Sequence, residues 1–397
     1  MRSNDLARHW TLDPRIDFLN HGSFGACPRP VLEAQSELRA RMEREPLQFL
    51  ARDLEGLLDD ARGELAQFVG ADPDDLAFVP NATSGVNTVI RSLELDPGDE
   101  LLTTDHAYNA CRNALRWQER RGAKVVVAAV PWPIATASQV SDAVLGAVTA
   151  RTRLALLDHV TSPTGIIFPV EEIVGRLEAR GVDALVDGAH APGMVPLNLR
   201  RIGATYFTGN CHKWLCAPKG AAFLYVRRDH QERIRPLTIS HGANAVRTDR
   251  PRFRLEFDWT GTDDPTSFLS IPHALRFLGT LFPGGWPELM QRNHALALRG
   301  RTLLCEALRI AAPAPAEMLG SLASVPLPDA RGGPPPVRGV FWHPLQRALL
   351  EKHGIEVPVM PFPAPPRHLI RISAQAYNSE DQFARLATAL RAELQLA

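Results

Sequence analysis

Two apolar stretches in the middle of the chain are each followed by a residue that could take part in catalysis. Asp187 ends the stretch 184–187, and Lys213 follows the stretch 204–208 after a short polar turn. If both stretches are strands of a parallel sheet, their carboxyl ends meet at one edge, where such sheets bind ligands. A carboxylate buried there is unfavourable unless a cation or a hydrogen-bond donor neutralises it. We therefore expect Asp187 and Lys213 to face each other across one pocket.

An aspartate and a lysine placed in this way suit the chemistry of pyridoxal phosphate (PLP). The lysine amine holds the cofactor as a Schiff base and, once a substrate amine displaces it, moves a proton as a base. The carboxylate keeps the pyridine nitrogen protonated, which makes the ring an electron sink. The simpler alternative is a buried Asp–Lys ion pair, which either residue taken alone would favour.

A second feature is a strand, a small polar turn and a helix start within residues 78–86. Backbone N–H groups at a helix start near Gly85, with the hydroxyl of Thr83 or Ser84, form a cup that suits a phosphate group. Simple N-capping by Thr or Ser explains the same residues. No Gly-Lys-Ser/Thr follows, so the segment is not a nucleotide-binding P-loop.

Short apolar runs that alternate with amphipathic helices must position these residues. The pattern predicts an α/β fold with a mostly parallel, seven-stranded sheet covered by helices on both faces. Two helices with apolar stripes are expected before the sheet, the first ending at Pro46 and the second at Gly70. The predicted strands are residues 76–79, 100–103, 124–130, 154–158, 184–187, 204–208 and 221–226.

The composition changes after Asp264, and a smaller α+β domain is expected there. Its predicted elements are a long helical region (271–308), strands at 318–326 and 369–372, a surface loop at 330–336 and a helix at 343–354. The expected organisation is an N-terminal arm (1–30), a large PLP-binding domain (31–264) and a small C-terminal domain (265–397).

Composition disfavours several partners and locations. Lys+Arg and Asp+Glu each number 44 in 397 residues, so the basic face of a nucleic-acid-binding protein is not expected. Residues 1–15 lack the apolar core of a signal peptide, and the most apolar run, 125–130, is too short to cross a membrane. The five cysteines are scattered without a Cys-x-x-Cys pair. They favour free thiols in the cytoplasm.

Seven motifs occur in order between residues 19 and 373. They are LNHGSFG (19–25), NAT (81–83), DHVTSPTG (158–165), DGAH (187–190), TGNCHKW (208–214), WTGTDD (259–264) and LIRIS (369–373). Together they resemble the class V aminotransferase family of fold-type-I PLP enzymes, and most of all its isopenicillin N epimerase-like branch.

The resemblance implies roles for individual residues. Lys213 holds the Schiff base, Asp187 pairs with the pyridine nitrogen and His190 lies near the phenolic oxygen of the cofactor. The phosphate contacts it implies are Ala82, Thr83 and His212, with Asn210 as a weaker candidate. Thr161 is a further implied cofactor contact. Either His106 or Tyr108 stacks on the ring.

The resemblance also implies a substrate site and a partner. Arg371 receives the α-carboxylate of an amino-acid substrate, which suits its two-pronged donor geometry. Asn20, His21 and Ser23 of the arm face the substrate, although satisfied turn residues would look the same. Gly261 and Thr262 complete the phosphate site of a partner subunit, so a homodimer is expected.

The lack of a cysteine in one loop narrows the possible reactions. Related desulfurases carry a nucleophilic cysteine before the carboxylate-binding arginine, but residues 356–366 contain none and form an apolar, proline-rich stretch suited to a bulky substrate tail. Our leading hypothesis is an epimerase in which Lys213 removes the Cα proton. The second acid needed for inversion is not identified by the sequence.

Several alternatives stay open at this point. A carbon–sulfur or other β-elimination lyase using the same residues is the nearest rival, and transamination is third. A PLP-fold binding protein without catalysis is disfavoured because Lys213 and Asp187 are both retained. A metal site at His190 and His212 lacks a third ligand at a suitable spacing. A Rossmann oxidoreductase lacks its glycine fingerprint.

Overall fold

The structure is a computed structural model that describes residues 5–328 and 343–396; the loop predicted at 330–336 lies outside them. The strands are β1 (Asp17–Phe18), β2 (Leu76–Val79), β3 (Glu100–Thr104), β4 (Lys124–Ala128), β5 (Thr152–Asp158), β6 (Asp183–Asp187), β7 (Tyr206–Asn210), β8 (Ala222–Val226), β9 (Leu322–Pro326), β10 (Ile355–Glu356), β11 (Val359–Pro361) and β12 (His368–Ser373).

The helices alternate with the strands in the first part of the chain and dominate the second. They are α1 (His21–Phe24), α2 (Arg29–Arg44), α3 (Pro46–Gln48), α4 (Leu54–Val69), α5 (Ala82–Ser92), α6 (Asn109–Trp117), α7 (Ser138–Gly146), α8 (Val170–Glu178), α9 (Leu199–Ile202), α10 (Arg252–Phe257), α11 (Thr266–Leu269), α12 (Ile271–Gly279), α13 (Gly285–Leu308), α14 (Pro344–His353) and α15 (Glu380–Glu393).

The seven predicted strands form one sheet in the order β2-β8-β7-β6-β5-β3-β4. Within the described residues, β8 alone runs antiparallel to its neighbours, so the predicted mostly parallel α/β fold is confirmed. Successive side chains of a strand point to opposite faces. Along β5, Ala155 and Leu157 therefore pack in a core with α4, α7 and α8, whereas Leu154 and Leu156 pack in a second core with α5 and α6.

Two predicted elements differ from the structure by more than two residues. The helical region predicted at 271–308 is two helices, α12 and α13, because Pro283 cannot continue a helix and Gly285 adopts φ +63°. The strand predicted at 318–326 begins only at Leu322, after a 3-10 turn at Ala316–Met318. The predicted end of the second helix at Gly70 is confirmed, since this glycine caps α4 in the left-handed conformation.

The C-terminal part is built around the three-stranded antiparallel sheet β11-β12-β9, against which α13 packs. The helix α15 packs against both α13 and α14. The helices α11 and α12 contact α2 and α4 of the N-terminal half. The division into domains at residue 264 stays a prediction. In the part of the chain that the structure describes, no helix is both long and apolar enough to cross a membrane.

The N-terminal arm joins the C-terminal sheet to the loop that carries Lys213. Strand β1 pairs with β10, and the backbone N–H of Ser373 in β12 donates to the carbonyl of Leu19. The arm then reaches Gly25, which adopts φ +70°. A Cβ atom at Gly25 would lie 2.1 Å from the carbonyl oxygen of His212 and 3.0 Å from the Cα of Lys213. Only glycine permits this approach.

We expect Gly25→Ala to displace the Lys213 loop, because the added methyl group overlaps the His212 carbonyl and the backbone is strained. The free energy of unfolding should fall by more than about 1 kcal/mol, and PLP should bind less tightly. Thermal unfolding and PLP titration measure both effects. The matched control is Gly175→Ala in α8, where a Cβ meets nothing within 4 Å. There stability should hold or rise by up to about 1 kcal/mol. Wild-type stability and PLP affinity in Gly25→Ala would contradict this account.

Candidate active site

A cavity of about 400 Å³ lies at the carboxyl edge of the central sheet. Strands β2, β3, β5, β6 and β7 all end at it, which is the expected ligand position for such a sheet. The predicted site residues that line it are Ser23, Ala82, Thr83, Tyr108, Asp187, His190, Asn210, His212 and Lys213. The structure therefore brings together residues that are up to 190 positions apart in the chain.

Lys213 and Asp187 share this cavity but form no ion pair within the described residues. The Lys213 Nζ lies 3.2 Å from His190 Nε2. The Asp187 carboxylate accepts hydrogen bonds from the Cys111 thiol at 3.1 Å and from the backbone N–H of Ala189 at 3.0 Å. The simpler alternative of a buried Asp–Lys ion pair is therefore wrong. Both groups have capacity left for a ligand placed between them.

Burial controls the ionisation of both groups. It raises the pKa of Asp187 above its ordinary value, while the Cys111 hydrogen bond, the Ala189 N–H and the charge of Lys213 oppose the rise. Burial also lowers the pKa of Lys213 to about 8, helped by the positive charge of Arg371. A lysine with that pKa has a substantial neutral fraction near neutral pH, which a nucleophilic amine requires.

The hydrogen bonds of His190 agree with a neutral amine. The indole N–H of Trp214 donates to His190 Nδ1 at 3.3 Å, so the ring proton of neutral His190 belongs on Nε2. That N–H then points at Lys213 Nζ, which can accept it only through the lone pair of a neutral amine. Burial and the charge of Lys213 hold the pKa of His190 well below its usual value, so the imidazole stays neutral.

The segment expected to hold a phosphate begins differently from the prediction. Helix α5 starts at Ala82, not near Gly85, and its N-cap is Asn81, whose side chain accepts from the backbone N–H of Ser84 at 2.8 Å. Capping by Thr83 or Ser84 is therefore wrong. The Thr83 hydroxyl makes no hydrogen bond within the described residues, and it faces the cavity.

Two further residues frame this end of the cavity. Asn210 Oδ1 accepts from the backbone N–H of Ala82 at 2.8 Å and so fixes the start of α5. The Nδ1–H of His212 donates to the Ala221 carbonyl at 2.9 Å, which leaves the other ring nitrogen for a ligand. These groups at a helix N-terminus suit a phosphate.

The structure distinguishes the two aromatic candidates for stacking. Tyr108 lines the cavity and is about half exposed. His106 is buried, and its ring nitrogens contact the Thr164 hydroxyl at 2.8 Å and the Val130 carbonyl at 3.1 Å. Thr161 is also buried outside the cavity lining, with its hydroxyl 2.6 Å from that of Thr164. The predicted cofactor roles of His106 and Thr161 are therefore not supported. Their polar side-chain atoms bond to other protein groups, and neither residue lines the cavity.

Arg371 lies directly behind the cavity wall. Its Nη1 donates to the carbonyl and the hydroxyl of Ser162, and its Nη2 donates to the Ser23 hydroxyl at 3.0 Å. The buried Nε makes no hydrogen bond, and no carboxylate pairs with Arg371 in residues 5–328 and 343–396. Burial lowers its pKa to about 10. A buried guanidinium without a counterion suits a carboxylate ligand.

The arm residues divide into two groups. Ser23 lines the cavity and donates to Asn20 Oδ1 at 2.5 Å, and Asn20 in turn donates to Glu356. His21 is buried between the Tyr377 hydroxyl at 2.8 Å and the Lys213 carbonyl at 2.9 Å. The prediction that His21 faces the substrate is therefore not supported; it is a satisfied packing residue that holds the Lys213 loop.

Comparison with known proteins decides the family. Residues 26–331 match the family model described as aminotransferase class V. The chain belongs to the class V aminotransferase family. PLP is the cofactor of this family, so the predictions of a PLP-dependent enzyme and of its cofactor are confirmed.

The relatives cover the whole length of the chain. It is 35% identical to isopenicillin N epimerase of Streptomyces clavuligerus, over 96% of each chain. It is 30% identical to a probable chloroplastic L-cysteine desulfhydrase of Arabidopsis thaliana, over 95% of this chain and 83% of the other. A solved structure of C-DES with glycine covalently linked to its PLP cofactor has the same fold, with a TM-score of 0.77 at 22% identity and coverage of 97% and 98%.

The residues present fit the family's cofactor. A buried carboxylate, a buried amine of lowered pKa and a helix start line different walls of one cavity, and among the described residues each lacks a partner for part of its bonding capacity. Among residues 5–328 and 343–396, no group of three His, Cys, Asp or Glu side chains could hold a metal ion.

Sequence reasoning missed two groups beside Asp187. Asp158 ends β5 and is the direct neighbour of Asp187 in the strand register. Burial, and then the Asp187 charge, raise the pKa of Asp158 well above its ordinary value. The signal that identified Asp187, a carboxylate after an apolar strand, also applies to Asp158. No sequence signal identified Cys111, whose contact with Asp187 depends on the position of α6.

The geometry of Arg371 yields a test. Arg371→Lys keeps the charge but loses the two-pronged donor, so KM for α-amino acids should rise roughly 10- to 100-fold. Steady-state kinetics, or titration of the visible cofactor absorbance with an amino acid, measures this. Binding of the matching amine without a carboxylate should not change. Arg385→Lys, at an exposed arginine that pairs with Asp17 outside the cavity lining, is the control. An equal loss for amino acid and amine would contradict a role in carboxylate binding.

The lowered pKa of Lys213 yields a second test. With a pKa of about 8, roughly a tenth of the amine is neutral at pH 7, about 300-fold more than for an ordinary lysine. The rate at which apoenzyme attaches PLP should rise about tenfold per pH unit below pH 8 and level off above it. Stopped-flow absorbance measures the rate, with Nα-acetyl-lysine as the reference amine. A rate that keeps rising to pH 10, as for the reference, would contradict the lowered pKa.

Proposed function

We propose that this class V enzyme is an amino-acid epimerase of the isopenicillin N epimerase type. The observation that carries the proposal is a buried amine of lowered pKa, Lys213 Nζ, in a cavity whose wall is backed by Arg371, a guanidinium without a carboxylate partner among the described residues. The identity of 35% with an isopenicillin N epimerase over 96% of both chains supports the same reaction type. The substrate class is an amino acid with a free α-carboxylate.

The proposed site assigns each wall of the cavity to one part of the cofactor. Lys213 holds PLP, Asp187 contacts its ring nitrogen and His190 lies beside its phenolic oxygen. Ala82, Thr83 and His212 hold the phosphate. When bound, PLP supplies an electron sink for the electron pair released at Cα.

The protein orients the substrate and moves the proton. Arg371 fixes the carboxylate, and the hydrogen bonds from Arg371 to Ser23 and Ser162 keep the guanidinium in place. With the carboxylate fixed, one Cα–H bond is directed at Lys213. Its lowered pKa gives the amine a neutral fraction near neutral pH, and in that form Nζ accepts this proton.

A β-elimination lyase is the second candidate, and the similarity to a cysteine desulfhydrase favours it. It uses the same amine for the same first proton and differs only in what happens next. A persulfide-forming desulfurase is not supported, because residues 356–366 contain no cysteine and the Cys111 thiol is hydrogen-bonded to Asp187. Burial and the Asp187 charge also raise the pKa of that thiol well above its ordinary value. Transamination is the third candidate.

A homodimer remains part of the proposal. Gly261 and Thr262 are exposed and do not line their own chain's cavity, which agrees with a role in a neighbouring subunit. An apolar groove of about 650 Å³ that includes Leu47, Leu54 and Trp259 lies beside this loop. The cytoplasm is the proposed compartment, and the five cysteines of the structure are free thiols in agreement with it.

Incubation of holoenzyme with a panel of amino acids in deuterated water tests the proposal. We expect deuterium at Cα together with inverted configuration, measured by NMR and chiral chromatography. Lys213→Ala is the matched control and should exchange no Cα hydrogen. A 2-oxo acid with a released thiol would support the lyase instead, and pyridoxamine phosphate would support the transaminase. Retained Cα hydrogen on every amino acid would contradict all three.

A further inference from the structure

Epimerisation needs a second proton carrier, and none of the residue roles proposed above supplies it. Lys213 serves one face of Cα, so inversion requires a donor on the opposite face. The inference below rests on the proposed epimerase function.

The strand order places two proton-carrying groups on opposite sides of the cavity. Lys213 follows β7 and Tyr108 follows β3, and the strands β6 and β5 lie between them. Neighbouring strands are about 4.8 Å apart, so β7 and β3 are separated by about 14 Å. A ligand held at Asp187 of β6 would therefore have Lys213 toward one flank and Tyr108 toward the other.

The phenol of Tyr108 is held at this position and has a free hydroxyl. The backbone N–H of Tyr108 bonds to the Asp158 carboxylate, which fixes the residue at the start of α6. The hydroxyl has no hydrogen-bond partner among the described residues, although the side chain lines the cavity. Burial, Cys111 and Asp187 raise the phenol pKa, so the proton is retained at neutral pH. The nearby charge of Arg371 opposes that rise and stabilises the phenolate once the proton has left.

The other hydroxyl and imidazole groups of the cavity suit this role less well. The Ser23 proton is donated to Asn20. His190 contacts Lys213 Nζ, and His212 is assigned to the phosphate. Burial lowers the pKa of His190 well below its usual value and that of His212 to about 4, so neither is an imidazolium at neutral pH.

We propose that Tyr108 is the second acid, whose phenolic oxygen donates a proton to Cα on the face opposite Lys213. Lys213 Nζ takes the first proton as the Cα–H bond breaks and its electron pair stays with the carbon. A new Cα–H bond then forms with the Tyr108 proton, which leaves a phenolate. Water returns a proton to Tyr108 and takes one from Lys213. In the reverse direction the phenolate is the base and the ammonium is the acid.

Tyr108→Phe in holoenzyme tests this proposal with each enantiomer separately in deuterated water. Inversion of both enantiomers should fall at least about 100-fold. The enantiomer whose Cα–H bond faces Lys213 should still exchange hydrogen for deuterium with retained configuration. The other enantiomer should not exchange. The PLP dissociation constant and the visible circular dichroism of the bound cofactor should stay within about threefold of wild type, since the aromatic ring is kept.

Tyr225→Phe, a buried tyrosine of β8 outside the cavity, is the matched control and should invert both enantiomers at the wild-type rate. Wild-type inversion by Tyr108→Phe would overturn the proposal. So would a joint loss of PLP binding and of exchange from both enantiomers, because Tyr108 would then act only by holding the cofactor. If wild-type enzyme exchanges no Cα hydrogen, the proposed epimerase function itself is wrong, and this result is distinct from the other two.

Discussion

The ionisable groups at the carboxyl edge of the sheet are buried and do not neutralise one another. Lys213 contacts a neutral imidazole, Asp187 accepts from a thiol and a backbone N–H, and Arg371 donates to hydroxyl and carbonyl oxygens. Each interaction orients a side chain without satisfying its charge. Burial then shifts the pKa of Asp187 upward and those of Lys213 and Arg371 downward. The cavity therefore favours a ligand that carries an anionic end, a cationic ring nitrogen and a group that reacts with an amine.

The rest of the fold keeps these groups apart. Parallel pairing of β5 and β6 in register puts Asp158 beside Asp187, so the floor of the cavity is acidic. Lys213 follows β7 on the other side of Asp187, where the arm holds its loop through His21 and the close approach of Gly25. Arg371 comes from β12 of the C-terminal sheet and reaches the wall through Ser23 and Ser162. The cavity thus depends on contacts among the central sheet, the N-terminal arm and the C-terminal sheet. The residues that make these contacts have little conformational freedom.

The sequence predicted the sheet and the shared position of Asp187 and Lys213 at its edge because both depend on local patterns. Apolar runs with a polar residue at the end identified all seven strands and placed Asp187 and Lys213 at their ends. The choice between His106 and Tyr108 depended on which side chain faces the cavity. The two residues are only two positions apart in a loop, so the sequence does not determine which one does. Thr161 lies in a recognisable motif, but its hydroxyl bonds within the turn. The break between α12 and α13 was not predicted, because the apolar stripe continues across it. Pro283 lies in this break and was the sequence signal for it.

In the proposed mechanism the same arrangement can serve inversion or elimination, because both begin with loss of the Cα proton to Lys213. What separates them is the group that faces the substrate from the opposite wall. A proton donor above Cα gives the product with inverted configuration at Cα. A donor displaced toward the next carbon instead assists departure of a leaving group from that carbon. If Tyr108 is that donor, as proposed, the position of its hydroxyl relative to Cα matters more to the outcome than the residues that bind the cofactor. The start of α6, fixed by the bond between the Tyr108 backbone and Asp158, sets that position.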